Sequence, residues 1–104
     1  MSNEVWVGSV GVTALEHCLV LPPGERAWVD VLVGGPTELD FESEVREAVV
    51  QYQLQVDRFG PIERVRDRRI PLERTAQRLE KELTKRRGVR LMTFRPIPAD
   101  AERR

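Results

Sequence analysis

Residues 22–36 constrain the fold more than any other stretch of the chain. Pro22-Pro23-Gly24-Glu25 opens the stretch and Gly34-Gly35-Pro36 closes it. Between them Ala27, Val29, Val31 and Val33 recur at every second position. Successive side chains of a strand point to opposite faces. The spacing therefore predicts a strand with one apolar face, and with Asp30 on the other face between Trp28 and Leu32. Proline presets φ for the second position of a turn and glycine supplies the positive φ of the third, so Pro23-Gly24 is expected to centre a type II turn. The apolar residues 15–21 ahead of that turn are expected to form the other arm of a hairpin, pairing residues near 17–21 with residues near 26–32. Residues 4–12, rich in valine and punctuated by Gly8 and Gly11, predict a further strand with a bend or bulge.

Helical spacing appears in the second half. Leu72, Ala76, Leu79 and Leu83 fall at i, i+4, i+7 and i+11 and predict a long helix over about 72–87, with Pro71 at its first position and Gly88 as its C-terminal cap. A shorter acidic helix is expected over about 38–47, with Thr37 as N-cap and Glu38, Asp40, Glu42 and Glu44 in its opening turns. Residues 48–57 fit two patterns. Phe41, Val45, Ala48, Val49, Tyr52, Val56 and Phe59 lie at helical spacing, yet Ala48, Val50, Tyr52, Leu54 and Val56 also alternate as in a strand. Leu54 and Val56, flanked by glutamines, favour a strand over 48–57. Residues 60–71 read as a basic connector with room for a short edge strand. Residues 89–94 predict a last strand, with Val89, Leu91 and Thr93 opposite Arg90, Met92 and Phe94, ended by Pro96 and Pro98. Residues 99–104 are expected to fray.

These elements sum to an α+β fold in a single small domain, residues 1–104. The expected sheet is mainly antiparallel with four or five strands, the 72–87 helix is packed across one face, and the shorter acidic helix lies near 38–47. A chain of 104 residues buries enough surface for one core without covalent staples. Cys18 is the only cysteine, so an internal disulfide is excluded. The start Met1-Ser2-Asn3-Glu4 lacks the pattern of a secretory signal, and apolar runs never exceed four residues, far below the ~20 of a membrane span. A cytoplasmic location without membrane contact is the expectation.

Formal net charge is zero, but the sign is segregated. Residues 1–57 carry ten acids against two bases; residues 58–104 carry seven acids against fifteen bases, all arginine but for Lys81 and Lys85. Such asymmetry points to charged partners. Helix dipoles account for part of it, because acids suit the start of the first helix and Lys85, Arg86 and Arg87 the end of the second. Arg64, Arg66, Arg68 and Arg69 lie in the connector, where no helix end demands them. They are the candidate binding residues, and the acids Glu42, Glu44 and Glu47 are their candidate counterpart in this chain or a second copy.

Enzymatic constellations are sparse. His17 is the only histidine and adjoins Cys18; in a strand the two face opposite ways, which rules out a thiolate–imidazolium pair. Zinc would need carboxylates for most of its ligands, and no calcium-loop spacing occurs among the acids. Gly34-Gly35-Pro36 lacks the Gly-Lys-Ser/Thr of a phosphate loop, and no Gly-x-x-Gly clamp, ribonucleoprotein motif or Cys/His finger is present. No stretch carries a motif specific enough to mark a family.

The expected function is therefore non-enzymatic: a protein–protein interaction or assembly module, a subunit acting through a protein partner or its own copies, with no cofactor implied. The alternative is an accessory RNA- or DNA-binding protein that uses the arginine-rich connector. The expected weakness of that alternative is the shortage of exposed aromatics, since Phe59 and Phe94 both suit the core. A small enzyme built on carboxylates and arginines alone ranks third.

Overall fold

A computed structural model describes residues 4–35, 38–69 and 71–97. The elements run β1 (Val5–Ala14), β2 (Arg26–Gly34), α1 (Glu38–Val50), β3 (Leu54–Arg64), a single 3₁₀ turn (Val65–Asp67), α2 (Arg74–Lys85) and β4 (Gly88–Pro96). The four strands form one antiparallel sheet in the order β3-β1-β2-β4. The α+β fold and the antiparallel sheet expected from the sequence are both present, with four strands.

Alternation decides which residues meet which helix. On one face of the sheet Val10, Val12 and Ala14 of β1 stand beside Ala27, Val29, Val31 and Val33 of β2, all buried. Helix α1 covers this face with Phe41, Val45 and Val49, spaced at i, i+4 and i+8. Val5, Val7 and Leu32 occupy the opposite face, where α2 covers them with Ala76 and Leu83. Full burial of side chains of this size stabilises the fold by ~1.5–3 kcal/mol each, so the two valine-rich central strands and α1 carry most of the core. Asp30 lies on the α2 side of the sheet, as its place in the alternation requires.

The Pro22–Glu25 turn forms as expected. Gly24 has φ +85°, and the Glu25 N–H donates to the Pro22 carbonyl at 3.0 Å. Its strand partner differs from the expectation: β2 pairs with β1, Val10 opposite Val29 and Thr13 opposite Arg26, and residues 15–25 are a loop. Residues 5–14 supply apolar side chains to both faces of the sheet, Val5 and Val7 to one and Val10, Val12 and Ala14 to the other, whereas Leu19, Val20 and Leu21 run straight into the prolines and leave no strand to pair. His17 and Cys18 consequently lie outside any strand, His17 exposed and Cys18 buried.

Residues 48–50 belong to α1 rather than to a strand. The helix ends through N–H bonds from Gln51, Tyr52 and Gln53 to the carbonyls three residues earlier, with Gln53 in the left-handed region at φ 59°. That reversal drops Leu54 into the core as the first residue of β3. Strand β3 then continues through Gly60-Pro61 to Arg64 as an edge strand, with two register shifts against β1. The first part of the basic connector, residues 60–64, is thus edge strand, as expected; proline is tolerated there because an edge leaves one row of backbone groups unpaired.

Helix α2 is shorter than the leucine spacing implies. It starts at Arg74 with Glu73 as N-cap, and Pro71 precedes it in non-helical chain. The Gln77 side chain donates to the Leu72 carbonyl at 2.8 Å and closes the entry in place of a helical turn. The helix leaves through extended Arg86, and Gly88 opens β4 opposite Gly34 instead of capping α2. In β4 a register shift between Leu91 and Phe94 breaks the expected alternation: Val89, Leu91 and Phe94 all pack on the α1 side, and Met92 on the α2 side. The Thr37 cap and the 99–104 tail lie outside the described residues. Among the described residues no helix is long and apolar enough to cross a membrane.

Candidate functional site

Three of the four connector arginines, Arg64, Arg66 and Arg68, find carboxylates close at hand. Arg64 Nε donates to Asp67 at 2.9 Å and its guanidinium lies 5.9 Å from the Trp6 ring centre; Arg66 pairs with Glu4 at 3.1 Å; Arg68 pairs with Glu63 at 3.0 Å. Arg66 and Arg69 are exposed, and Arg64 and Arg68 are half-buried. None of these ion pairs involves Glu42, Glu44 or Glu47. Glu44 instead binds Arg87 at 2.9 Å, and the same guanidinium reaches Asp40 at 3.7 Å.

The arginines and the acids therefore occupy different borders of the sheet. The arginines follow edge strand β3. Glu44 and Glu47 line a groove of about 550 Å³ beside the opposite edge strand, with Tyr52, Val89 and Leu91. Glu42 is exposed on α1 and does not join that groove.

A larger groove of about 780 Å³ opens between the N-terminal half of α2 and the sheet. Its apolar lining includes Val7, Leu72, Ala76, Leu79 and Met92. At its sheet side Arg95 donates to Asp30 at 2.8 Å, and Ser9 Oγ donates to the same carboxylate oxygen at 3.1 Å. Helix α2 is anchored at its other end, where Leu83 is fully buried. Beyond the groove the same face is closed by Trp28, whose ring passes the glycines Gly11 and Gly60 and is covered by the Arg58 guanidinium at 5.0 Å. This stack covers sheet that no helix reaches.

The feature the sequence reading missed is an apolar cap at the end of the sheet where β1 finishes and β3 begins. Among the described residues the exposed large apolar side chains are Leu15, Leu19, Val20, Val50 and Tyr52. Leu15 and Gln53 tie their two segments together, because the Leu15 N–H donates to the Gln53 carbonyl at 2.9 Å. The loop is fixed on either side of its tip. Cys18 is buried and its N–H donates to Leu15, Leu21 packs on the core, and Ala14 and Gly24 bond across the base. Leu19, held between these anchors, is 98% exposed. Residues 15–25 and 47–53 contain Glu16, Glu25 and Glu47 but no lysine or arginine, in a chain with 17 of them. The available signal was the run from Leu19 to Leu21 set directly against two prolines, where a strand has no room to form.

Among the described residues no group of three His, Cys, Asp or Glu side chains is arranged to hold a metal ion. Cys18 and His17 lie on either side of the loop surface, one buried and one exposed. In comparisons with known proteins the chain matches no family model, no curated protein and no solved structure.

Proposed function

We propose that the protein is a non-catalytic interaction or assembly module, a subunit that acts through a protein partner or its own copies. The observation that supports this reading is the apolar cap. Single exposed apolar residues are ordinary, but a loop pinned at both sides so that a leucine projects into solvent, beside four further exposed apolar side chains, is the composition of a protein contact. Burying Leu19 on a partner costs little ordering entropy, because the loop is already held. The charge segregation adds specificity: Arg69 is exposed at the β3 border and Glu47 at the opposite one, for contacts between chains.

A second reading, nucleic-acid contact through the connector, draws on the exposure of Arg66 and Arg69. It is the weaker, because Arg64, Arg66 and Arg68 already hold carboxylates and the nearest indole, Trp6, is half-buried beneath Arg64. Purification of the intact chain with its partners, before and after nuclease, followed by a salt series, separates the two. Phosphate binding falls log-linearly with salt, by a slope near 0.9 per neutralised phosphate on duplex DNA. An apolar protein contact survives both treatments, and its loss under either one would favour nucleic acid.

A further inference from the structure

Resting on the assembly reading, we infer that copies of the chain join edge to edge, the outer strand β3 of one pairing antiparallel with the outer strand β4 of the next, so that the sheet runs on between molecules. Backbone direction carries the argument. The Leu15 N–H donates to the Gln53 carbonyl and the Ile97 N–H to the Arg26 carbonyl, which fixes the alternation of both central strands. The register then turns the N–H and C=O of Phe59, Ile62 and Arg64 in β3, and of Val89, Leu91 and Phe94 in β4, away from the sheet. Among the described residues no further backbone group meets these rows. An outward row of this kind is a template for another strand. All six residues are half-buried, open on that flank.

The two rows match. Each strand carries an extra residue against its neighbour, between Phe59 and Ile62 in β3 and between Leu91 and Phe94 in β4. Run antiparallel, Ile62 of one copy falls opposite Leu91 of the next, Phe59 opposite Phe94 and Arg64 opposite Val89, so the two irregularities coincide and no slip is needed. Apolar side chains meet on the face that α1 covers. Arg64 comes beside Val89, in the groove that Glu44 and Glu47 line. On the other face Arg90, whose own-chain carboxylate Glu82 is 3.9 Å away, falls opposite Glu63. The Val89 carbonyl accepts from Arg90 at 3.0 Å and keeps a second lone pair for the incoming N–H. Arg58 opposite Arg95 is the like-charge pair of this register. Each is engaged in its own chain, Arg58 over Trp28 at 5.0 Å and Arg95 on Asp30 at 2.8 Å.

Like edges fit less well. Two β4 strands joined through Leu91 and Phe94 would set Arg90 against Arg95 twice. Two β3 strands centred on Phe59 would bring together the Arg46 guanidiniums that lie 5.1 Å from those rings. The two edges being different surfaces, each joined pair retains one of each, and the contact propagates into a ring or an open chain.

Sedimentation velocity over a concentration series tests the pairing with Glu63→Arg and Arg90→Glu. Each alone sets like charges across the contact and is expected to raise the apparent Kd about tenfold, with an unchanged circular dichroism spectrum. Mixed in equal amounts they should recover wild-type assembly, since each edge of one variant meets a complementary edge of the other. Tighter assembly of Arg90→Glu alone would assign the contact to paired β4 edges, and unchanged assembly of Glu63→Arg would remove β3 from it; either overturns the inference, as does a mixture no better than its components. Amide exchange reads the contact without substitution: the amides of Ile62, Leu91 and Phe94 should slow as the wild-type chain assembles, and assembly that leaves them fast overturns edge pairing while the assembly reading stands. A wild-type chain monomeric up to about 1 mM, where weak self-association still registers, also overturns edge pairing, and the purification experiment then decides the assembly reading separately.

Discussion

A Cβ placed on Gly34 would lie 2.6 Å from the carbonyl oxygen of Leu83 and 2.9 Å from its Cβ. Both are closer than atoms of these kinds approach, and one of them is backbone, so the helix itself would have to move. Gly34 is therefore the seat of α2: the last residue of β2 has no side chain so that the helix can press its Leu83 turn onto the strand. Gly34→Ala is expected to destabilise the fold by ~1–3 kcal/mol, the usual cost of overpacking, read as a lower midpoint in urea with an unchanged slope.

The leucines of α2 differ in what they bury. Leu83 is fully buried between Val5, Val7 and Leu32, whereas Leu79 is half-buried along the open groove. Leu83→Ala should cost ~2–5 kcal/mol and Leu79→Ala clearly less, because a cavity beside open solvent is filled by water or by a shift of the helix. Equal losses at the two positions would mean that the groove is closed in solution.

Gln53 holds φ at 59°, where a Cβ crowds the following carbonyl. Glycine has no such penalty, and left-handed backbone costs other residues roughly 1–2 kcal/mol, partly offset by the greater freedom glycine has when unfolded. Gln53→Gly is expected to stabilise the protein by about 0.5–1 kcal/mol, measured as a raised thermal midpoint. The carbonyl of residue 53 still accepts the Leu15 N–H, so the cap should remain assembled.

These positions also mark how far the sequence could be read. The alternation of Ala27, Val29, Val31 and Val33, and the Pro23-Gly24 turn, reflect local rules, and both appear as expected. The partner of β2 was not legible because proximity to the turn favoured residues 15–21, while pairing is decided by burial on two faces, which residues 5–14 supply. Residues 48–57 satisfied both periods because Val49 is the last inward residue of a helix and Leu54 the first of a strand, separated by a turn that only Gln53 marks. In β4 the bulge near Met92 adds one residue and restores Phe94 to the core face, which no alternation pattern anticipates. The connector arginines were identified by charge alone; their carboxylate partners Glu4, Glu63 and Asp67 were visible in the sequence, but the pairings of Glu4 and Glu63 depend on sheet geometry. The cap escaped notice because exposure of an apolar loop is a tertiary property.

Cys18 offers a test of how the cap is held. It is a buried free thiol at the near side of the loop, and no chemistry is assigned to it. Cys18→Ala should leave the fold intact but loosen the tip, seen as faster amide exchange at residues 15–20 and weaker association, while His17→Ala, at an exposed position, should change neither. Loss of association in His17→Ala with the fold intact would show that the imidazole itself makes the contact.

The connector arginines make the last and most demanding prediction. The connector arginines lie at the β3 border and Glu44 and Glu47 beside β4, so under the assembly reading the two charge sets meet between chains. Surface ion pairs such as Arg66–Glu4 and Arg68–Glu63 contribute only ~0–1 kcal/mol each, so replacing Arg64, Arg66, Arg68 and Arg69 together by glutamate is expected to leave the chain folded. Association should fall at least tenfold at low salt, chiefly through the on-rate, because complementary charge steers encounter more than it holds the product. Adding Glu42→Lys, Glu44→Lys and Glu47→Lys to the same molecule reverses both signs and should restore part of the rate, with Glu42→Lys contributing least because that side chain lies away from the groove at β4. If the bound species is nucleic acid, the second set restores nothing at the connector, since phosphate repels the glutamates already introduced there. Stopped-flow association at two salt concentrations reads the difference directly: the protein contact gives a rescued rate that salt diminishes, and nucleic acid gives no rescue.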